Sequence, residues 1–341
     1  MPLMNISEPP VIIRVQHKTG IVALNRAKAL NSINLEMVNI IQQALDEWAA
    51  DDAISQVLIY STSERAFCAG GDIRELRDAV IAGNPEFGDH YFTEEFNLVN
   101  CLGTYPKPVI ALINGIVMGG GMGVSMHNSH RIITENALAA MPETAIGYVP
   151  DVGFTYFAHQ ITTPAIAKFL GITGWRMSPA DMLWTGVASH FIKSADIEAF
   201  TNTLLENSLE QALDTFSTQP EESSTLESFA SSIEETFGQE TWELIDAALA
   251  AHPDAAFRAK IEKPLRQAAP SAVVATSALM NQNREAQSLR EGLDNELVMA
   301  LFMIRQPDFA EGVRAAVVDK DRNPQFGAAL PEENYLELIK N

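Results

Sequence analysis

The sequence predicts an α/β protein in which strand–strand–helix units stack along the chain and a helical region follows them. Short apolar, β-branched runs alternate with amphipathic segments from Val11 to Ile133. Two glycine-rich turns, Gly70-Gly71 and Gly119-Gly120-Gly121, each join a strand-like run to a helix-like one. From Ala195 to about Pro270 the composition shifts to Glu, Ser, Thr and Ala, with helical periods and no strand candidate. The repeated units are not visible as sequence self-similarity.

These observations divide the chain into a core over residues 1–200 and a mainly helical region over residues 201–341. The most linker-like point is Gln219–Ser224, which contains Pro220. A loop is also predicted over Ala140–Gly153, because this segment contains two prolines and two glycines.

The elements follow in order, beginning with an N-terminal hairpin. The predicted strands are Val11–Val15, Ile21–Leu24, Val57–Tyr60, Pro108–Ile113 and Arg131–Ile133. A helix begins after Asn34, whose side chain can cap it, and Asp72 can cap the helix that follows the first glycine turn. The other predicted helices are Ile73–Ile81, His90–Leu102, one whose first turns are Val124–His127, and a long one over Ser271–Arg305.

The triple glycine lies between an apolar strand and the start of a helix. Such a position offers free backbone N–H groups and the positive end of the helix dipole, so it attracts negative charge. The segment Phe67–Ile73 repeats the arrangement upstream. Because two such turns can each give one N–H to a single oxygen, we interpret them as an oxyanion hole rather than a phosphate cradle.

The formal net charge of −21 limits the partners of the protein. Binding to duplex nucleic acid needs a basic surface that neutralises phosphates, so no nucleic acid is expected. Adhesion to an anionic membrane is disfavoured for the same reason. An anionic small ligand would need a local basic cluster to hold it.

Two cysteines, Cys68 and Cys101, form no spaced set for disulfides or metal, which fits a reducing compartment. Residues 1–10 show no basic segment followed by an apolar run, and no stretch reaches the ~18 apolar residues of a membrane span. The expectation is therefore a soluble, cytoplasmic protein with no cleaved signal.

The residues resemble the crotonase (enoyl-CoA hydratase/isomerase) superfamily. Three features match together and in order: Phe67-Cys68-Ala69-Gly70-Gly71-Asp72, Asn114-Gly115 leading into the triple glycine, and Met141-Pro142-Glu143. The match covers roughly residues 10 to 200, and Phe309–Arg314 with Asp319–Asp321 extends it to nearly the whole chain. The resemblance implies a crotonase-like spiral of ββα units.

Within the superfamily the chain looks most like the branch that hydrolyses 3-hydroxyisobutyryl-CoA in valine breakdown. The motifs that point there are Met118–Gly123, Pro142–Gly147 and Pro150-Asp151-Val152-Gly153. In the hydratases a glutamate usually lies two residues after the third glycine, where this chain has Gly123. Without that second carboxylate, acid–base hydration of a double bond lacks one partner. The resemblance therefore implies an acyl-CoA thioesterase.

The resemblance also assigns the chemistry. The backbone N–H groups of Gly71 and Gly120 would stabilise the thioester oxygen as it becomes negative. Glu143 would be the catalytic carboxylate, either as a nucleophile that forms a mixed anhydride or as a general base for water. Asp151 would bind the substrate's 3-hydroxyl group or orient the water, and Glu95 would lie near the substrate.

Coenzyme A is part of the substrate, so no separate cofactor and no metal is expected. By resemblance, Arg26 and Lys28 would contact CoA, and Lys320 and Arg322 are further candidates for its phosphates. Arg314 is a weaker candidate. His127 and His130 have the spacing of a metal pair but lack a third ligand, and Cys68 is expected in the core.

Two other functions stay open. An enoyl-CoA hydratase or isomerase could use Glu143 alone, and a non-catalytic member could bind acyl-CoA or RNA, although the acidic charge weighs against RNA. The superfamily often forms trimers or dimers of trimers, so the resemblance allows a homo-oligomer.

Overall fold

In a computed structural model, which describes residues 9–340, two β-sheets are surrounded by helices. The larger sheet has the strand order β1-β2-β3-β5-β7-β9, and the smaller has the order β4-β6-β8. The strands are β1 Val11–Gln16, β2 Thr19–Leu24, β3 Gln56–Ser61, β4 Ala66–Cys68, β5 Val109–Ile113, β6 Ile116–Met118, β7 His130–Ile133, β8 Leu138–Ala140 and β9 His190–Phe191. Among these strands only the β1–β2 pair is antiparallel.

Helices connect the strands and build the C-terminal region. They are α1 Leu35–Ala49, α2 Ile73–Ile81, α3 Glu86–Gly103, α4 Gly120–Gly123, α5 Phe154–Ile161, α6 Pro164–Thr173, α7 Pro179–Thr185, α8 Ile197–Glu206, α9 Leu209–Phe216, α10 Thr225–Ser228, α11 Ala230–Phe237, α12 Trp242–Ala251, α13 Ala255–Gln267, α14 Pro270–Asn283, α15 Leu289–Met303, α16 Pro307–Val313 and α17 Glu332–Lys340. Short 3-10 turns lie at Ala27–Ala29, Glu143–Ile146 and Ser194–Asp196, and a π-helical turn covers Arg314–Val318.

Alternating residues of the larger sheet pack into two apolar layers, as the period of a strand requires. One layer joins Ile21, Leu58 and Ile110 to buried residues of α8 and α9. The other joins residues such as Val22, Ile59 and Ala111 to α1 and α3 in the main core. The segment after Ala195, predicted as helical, therefore covers one face of the sheet with its first two helices.

The smaller sheet positions the site. Its three strands are parallel, so their carboxyl ends share one edge. The glycine turn after β4, the triple glycine after β6 and the Met141-Pro142-Glu143 segment after β8 consequently stand side by side. Ligands in open α/β sheets bind at this kind of edge.

Most predicted elements in the first half are confirmed. Asn34 accepts the Met37 N–H at 3.0 Å and caps α1, and Asp72 caps α2. The order β1-β2-α1, β3-β4-α2 and β5-β6-α4 is the expected series of ββα units. The division at residue 200 stays a prediction.

Three local expectations were wrong. No helix starts at Val124–His127: α4 ends at Gly123, and the Ser125 N–H then donates to Met122 O in a tighter turn. The single helix over Ser271–Arg305 is two helices, because the Ser288 hydroxyl caps a new start at Leu289. The predicted loop over Ala140–Gly153 was wrong only at Ala140, which is the last residue of β8, a three-residue strand of Leu and Ala that lacks β-branched side chains.

The expectation of no signal segment rests largely on residues 1–8, which lie outside the described residues. Among residues 9–340, none of the helices combines the length and apolar character that crossing a bilayer requires.

Candidate active site

A pocket of about 270 Å³ opens at the shared edge of β4, β6 and β8. It is lined by Gly71, Gly120, Glu143, Asp151 and Glu95. The structure thus brings together the four predicted catalytic residues and the predicted third carboxylate, although they come from segments scattered over the first half of the chain.

The amide groups of Gly71 and Gly120 lie next to each other. A Cβ placed on Gly120 would lie 3.1 Å from the Gly71 nitrogen. Gly120 begins α4, so its N–H has no acceptor within that helix. Gly71 lies opposite Ile33 in a parallel bridge. On the Gly71 side, the two hydrogen bonds of this bridge use backbone groups of the residues before and after Gly71, and they do not use the Gly71 N–H. The closeness of the two glycines supports the prediction that their N–H groups share one acceptor.

Glu143 starts a 3-10 turn directly after β8, and its side chain is buried. Its Oε2 has no hydrogen-bond partner within residues 9–340. Burial, and next the charge of Asp151, raise the pKa of Glu143 well above its usual range. An unpaired carboxyl oxygen is costly inside a protein, so its position in a pocket marks it as a candidate reactive group.

Helices α6 and α14 hold the Glu143 turn in place. The Ala269 N–H at the start of α14 donates to Thr144 O at 2.9 Å, and the Thr144 hydroxyl donates to Ile172 O at 3.0 Å. Tyr148 closes the turn by donating its N–H to Glu143 O at 3.1 Å. The Glu143 carboxyl group thus lies on a turn held at both ends by hydrogen bonds.

Asp151 is the second buried carboxyl group, and Tyr148 donates its hydroxyl to Asp151 Oδ2 at 2.8 Å. Burial raises the pKa of Asp151 to about 7, while the Tyr148 hydrogen bond acts in the opposite direction. Asp151 therefore changes its charge near neutral pH.

Glu95, on α3, is buried against Tyr91. The Tyr91 hydroxyl lies 3.0 Å from Ile33 O and 3.2 Å from Glu95 Oε1. The Tyr91 hydroxyl therefore donates towards two acceptors, the Ile33 carbonyl and the Glu95 carboxyl group. Burial, followed by the charge of Asp151, raises the pKa of Glu95 well above its usual range, and the Tyr91 hydrogen bond acts in the opposite direction.

Gly123 has no room for a side chain. A Cβ at this position would lie 2.8 Å from the Val152 Cβ and 3.2 Å from Val99 Cγ2. Val152 has the left-handed backbone angle φ of 53°, and His127 Nε2 donates to its carbonyl at 2.8 Å. The space that a glutamate side chain at position 123 would need is therefore filled by Val152, from the loop that carries Asp151.

Glu296, on α15, fixes the other end of that loop. Its carboxylate accepts the Gly153 N–H at 2.5 Å, the Thr155 N–H at 2.9 Å and the Thr155 hydroxyl. Glu296 is fully buried, and burial raises its pKa, while its hydrogen bonds with Thr155 and Gly153 act in the opposite direction and favour the ionised form. It caps the start of α5 from a distant helix, where a negative charge also interacts favourably with the helix dipole.

The rest of the pocket wall is apolar. Phe92 stacks on Tyr148 with ring centroids 5.7 Å apart, and Phe309 packs on Tyr148 at 5.8 Å. The remaining lining includes Ile73, Leu76, Met118, Ile146 and Ala316. Such a wall suits a short acyl chain and keeps water from the buried carboxyl groups.

The predicted CoA contacts lie outside this pocket. Arg26 pairs with Asp72 at 2.8 Å, and Lys28 is exposed on the adjoining 3-10 turn. Lys320 and Arg322 are exposed and have left-handed backbone angles φ of 58° and 55°. Within residues 9–340, none of these four lines the pocket. Arg322 instead lines a neighbouring cleft.

The sequence did not single out Tyr91, Tyr148 or Glu296. Tyr148 lies three residues before Asp151 in the predicted loop, so its closeness in sequence could have indicated a contact between the two side chains. Glu296 is 143 residues from Gly153, and its helix pattern gives no hint of the contact.

The structure also shows the surroundings of His127 and Cys68, which the sequence analysis considered for other roles. His127 is occupied by its bond to Val152, and burial lowers its pKa to about 4. Cys68 is in the core, where burial raises its pKa to about 12. In the described part of the chain, no three His, Cys, Asp or Glu side chains are grouped as metal ligands would be.

Comparison with known proteins adds independent findings. The family described as enoyl-CoA hydratase/isomerase matches residues 19–341. The protein named 3-hydroxyisobutyryl-CoA hydrolase, mitochondrial, of Danio rerio is 37% identical over 319 residues, which cover 91% of this chain and 82% of that protein. The 3-hydroxyisobutyryl-CoA hydrolase 1 of Arabidopsis thaliana is 33% identical over 349 residues, which cover 98% and 90%.

Among solved structures, a carnitinyl-CoA dehydratase from Mycobacterium thermoresistibile matches with a TM-score of 0.91 and 31% identity. The match covers 97% of this chain and 96% of that one. The predicted fold, a spiral of ββα units followed by helices, is thereby confirmed.

Proposed function

The chain belongs to the enoyl-CoA hydratase/isomerase family, the crotonase superfamily, and we propose that it hydrolyses an acyl-CoA thioester, with 3-hydroxyisobutyryl-CoA as its substrate. The relatives from Danio rerio and Arabidopsis thaliana carry that activity in their names. The observation that carries the proposal is the packing of Val152 into the space beside Gly123. This packing leaves no room at position 123 for the second carboxylate of the hydratases. The residue next to Val152, Asp151, lines the pocket instead.

The thioester oxygen accepts the N–H groups of Gly71 and Gly120, and the carbonyl carbon then faces Glu143. As the C–O bond forms, the oxygen becomes negative and its two hydrogen bonds strengthen. The C–S bond then breaks, the CoA thiolate leaves and takes a proton, and one water molecule is consumed overall. Removal of one such donor typically lowers the rate by about 10²–10³-fold.

Glu143 serves one of two routes. As a nucleophile it forms a mixed anhydride that water opens, and as a general base it takes a proton from the attacking water. Label in Glu143 after a single turnover in ¹⁸O-labelled water identifies the anhydride route, because ¹⁸O enters this side chain only after anhydride formation and attack at the Glu143 carboxyl carbon. Peptide mass spectrometry reads the label directly.

Asp151 and Glu95 give the pocket its preference for a hydroxylated acyl chain. Tyr148 positions the Asp151 carboxylate, which can accept the substrate's 3-hydroxyl group. Glu95, held by Tyr91, lies beside Gly120 with Oε1 2.8 Å from where a Cβ would be. The hydroxyl group would satisfy buried polar groups that an unsubstituted chain leaves unpaired.

A thiol-release assay over a small panel of acyl-CoA thioesters tests the function. We expect steady release of free CoA thiol from 3-hydroxyisobutyryl-CoA, and slower release from isobutyryl-CoA. Crotonyl-CoA serves as the comparison, since the likeness to a mycobacterial dehydratase makes double-bond chemistry the relevant alternative. Loss of its absorbance without thiol release would identify a hydratase. No thiol release from any short β-hydroxyacyl-CoA would refute the proposal.

The setting of the reaction is proposed with it. The product, 3-hydroxyisobutyrate, would place the enzyme in valine breakdown. The Danio rerio relative is named as mitochondrial, whereas the sequence predicts the cytoplasm for this chain. Cell fractionation tests the location, and sedimentation tests the proposed homo-oligomer.

A further inference from the structure

Gly120 and Asp151 stand on two separate segments of the chain, and a hydrogen bond between His127 and Val152 joins these segments. Gly120 starts α4, and a tight turn leads from the end of α4 to His127. Asp151 and Val152 belong to the loop that precedes α5. His127 Nε2 lies 2.8 Å from Val152 O. No step of the proposed reaction uses His127.

The segment from Gly120 to His127 is held by its own hydrogen bonds. The Val124 N–H donates to Gly120 O at 3.2 Å, and the Met126 N–H donates to Met122 O at 2.7 Å. The side chain of Met126, next to His127, is buried in the core. The position of His127 relative to the Gly120 N–H is therefore held by the fold.

The hydrogen bond between His127 and Val152 has a defined direction. A carbonyl oxygen only accepts, so His127 Nε2 carries a proton and donates its N–H. Burial lowers the pKa of His127 to about 4, although the bond to Val152 acts in the opposite direction, so the ring is neutral at pH 7. The ring also packs edge-on against Phe157, with centroids 5.4 Å apart, which supports its orientation.

Val152 has a backbone that needs such a restraint. Its φ of 53° lies in the left-handed region, which costs free energy for a β-branched residue and persists only where the surroundings hold it. Gly153 follows with a φ of 82°, and a Cβ there would lie 2.6 Å from His127 Nε2. The imidazole thus lies directly against the two left-handed residues that follow Asp151.

We propose that His127 is a positioning residue that fixes the spacing between the Gly120 N–H and the Asp151 carboxylate, and thereby selects acyl chains with a hydroxyl group at C3. The inference rests on the proposed function, in which Gly120 holds the thioester oxygen and Asp151 accepts the hydroxyl group. With both ends held, a hydroxyl group at C2 or C4 is displaced from Asp151 by about one bond length. A misplacement of about 1 Å can lower a rate by about 100-fold.

The test compares two substitutions at position 127. His127→Phe removes the N–H donor and keeps a ring beside Phe157, whereas His127→Gln keeps an N–H that can reach the Val152 carbonyl. The matched control is His159→Phe. His159, on α5, also donates Nε2–H to a carbonyl, that of Met280 at 2.9 Å, and does not line the pocket. The control therefore removes the same kind of bond away from the site.

Kinetics use three isomeric thioesters, 3-hydroxyisobutyryl-CoA, 2-hydroxyisobutyryl-CoA and 4-hydroxybutyryl-CoA, together with isobutyryl-CoA. We expect His127→Phe to lower kcat/KM for 3-hydroxyisobutyryl-CoA by about tenfold or more and to leave isobutyryl-CoA nearly unchanged. The preference for the hydroxyl group at C3 over C2 and C4 should narrow accordingly. His127→Gln and His159→Phe should keep the wild-type preference. A merely structural role would lower kcat/KM for every thioester by the same factor.

Amide hydrogen exchange, measured by mass spectrometry, reports on the turn independently of the reaction. The Phe154 N–H donates to Asp151 O at 2.9 Å, and the Gly153 N–H donates to Glu296, so peptides over residues 151–155 contain amides that exchange when the turn opens. We expect about tenfold faster exchange there in His127→Phe, and wild-type exchange in His127→Gln and in the control.

Circular dichroism verifies that each variant is folded. If His127→Phe does not fold, His127→Asn takes its place, because the shorter side chain does not reach the Val152 carbonyl. A folded variant with unchanged exchange over residues 151–155, or with an unchanged preference for the C3 hydroxyl group, overturns the proposal. If wild type releases no thiol from any of the thioesters, the proposed function and the selection by His127 fail together, while faster exchange still shows that His127 holds the turn.

Discussion

The Val152 side chain occupies the space next to Gly123: a Cβ added at position 123 would lie 2.8 Å from the Val152 Cβ. Val152 directly follows Asp151, which lines the pocket at the shared edge of β4, β6 and β8. The absence of a carboxylate at position 123 and the presence of one at position 151 are therefore one structural arrangement. In the function proposed above, this arrangement separates the site from one that adds water to a double bond.

The substitution Gly123→Glu tests that arrangement. Overpacking of a filled core typically costs about 1–3 kcal/mol, and the collision with Val152 would displace Asp151. We expect thiol release from 3-hydroxyisobutyryl-CoA to fall at least about tenfold, with no hydration of crotonyl-CoA. The double variant Gly123→Glu/Val152→Gly removes the colliding Cβ, leaves only the 3.2 Å approach to Val99, and should recover part of the stability. A stable single variant with full thiol release would contradict this expectation.

The pH profile of kcat/KM should report the interaction between the charges of Asp151 and Glu143. Glu143 reacts in its ionised form, so activity rises with pH on the acid side. The Asp151 charge raises the pKa of Glu143. Asp151→Asn removes that charge, so the acid limb should move to lower pH even though the maximum rate falls. An unmoved limb would show that the two carboxyl groups do not interact.

Asp151 should also make stability depend on pH. Burial raises its pKa from 3.8 to about 7. Between these values the folded chain retains a proton that the unfolded chain releases, so stability falls as pH rises from about 4 to about 7, by up to ~1.4 kcal/mol per unit. Asp151→Asn lacks this loss, and its stability relative to wild type should be greater at pH 8 than at pH 4. Urea unfolding at the two pH values measures the difference, and an equal difference at both would refute it.

Glu296 should act through the loop that carries Asp151. In Glu296→Gln an amide NH₂ replaces one oxygen and faces a backbone N–H, which leaves a buried donor unpaired at about 1–3 kcal/mol. We expect kcat/KM to fall more for 3-hydroxyisobutyryl-CoA than for isobutyryl-CoA, because only the former presents a hydroxyl group to Asp151.

A purely structural role for Glu296 would lower kcat/KM for both substrates equally. Asp294→Asn is the control on the same helix, because Asp294 is exposed and pairs at the surface with Arg290, at 2.6 Å. That variant should match wild type on both substrates.

The sequence predicted the parts of the site that reside in contiguous motifs. Gly71, Gly120 and Glu143 each follow a short strand, and parallel pairing of those strands brings them together. Contacts between distant segments were beyond it, since the Glu296 bonds to the Asp151 loop depend on how α15 packs. The cleft next to the pocket was missed for the same reason, because the four cations that line it lie on three separate segments: Arg176, Lys260 with Lys263, and Arg322.

Element boundaries failed where capping side chains and tight turns decided them. Ser288 starts a new helix inside a continuous apolar pattern, and the Ser125 turn ends α4 after four residues. In both cases a local hydrogen bond outweighed the hydrophobic period on which the predictions relied.

The most direct measurement is thiol release from 3-hydroxyisobutyryl-CoA by Glu143→Gln. Glutamine has the same shape, and Oε2 of Glu143 has no partner to lose within residues 9–340, so circular dichroism and the unfolding midpoint should match or exceed those of wild type. We expect kcat to fall by about 10²–10⁴-fold, because the variant lacks the reactive carboxylate. A folded variant that releases thiol at the wild-type rate would contradict the proposed role of Glu143.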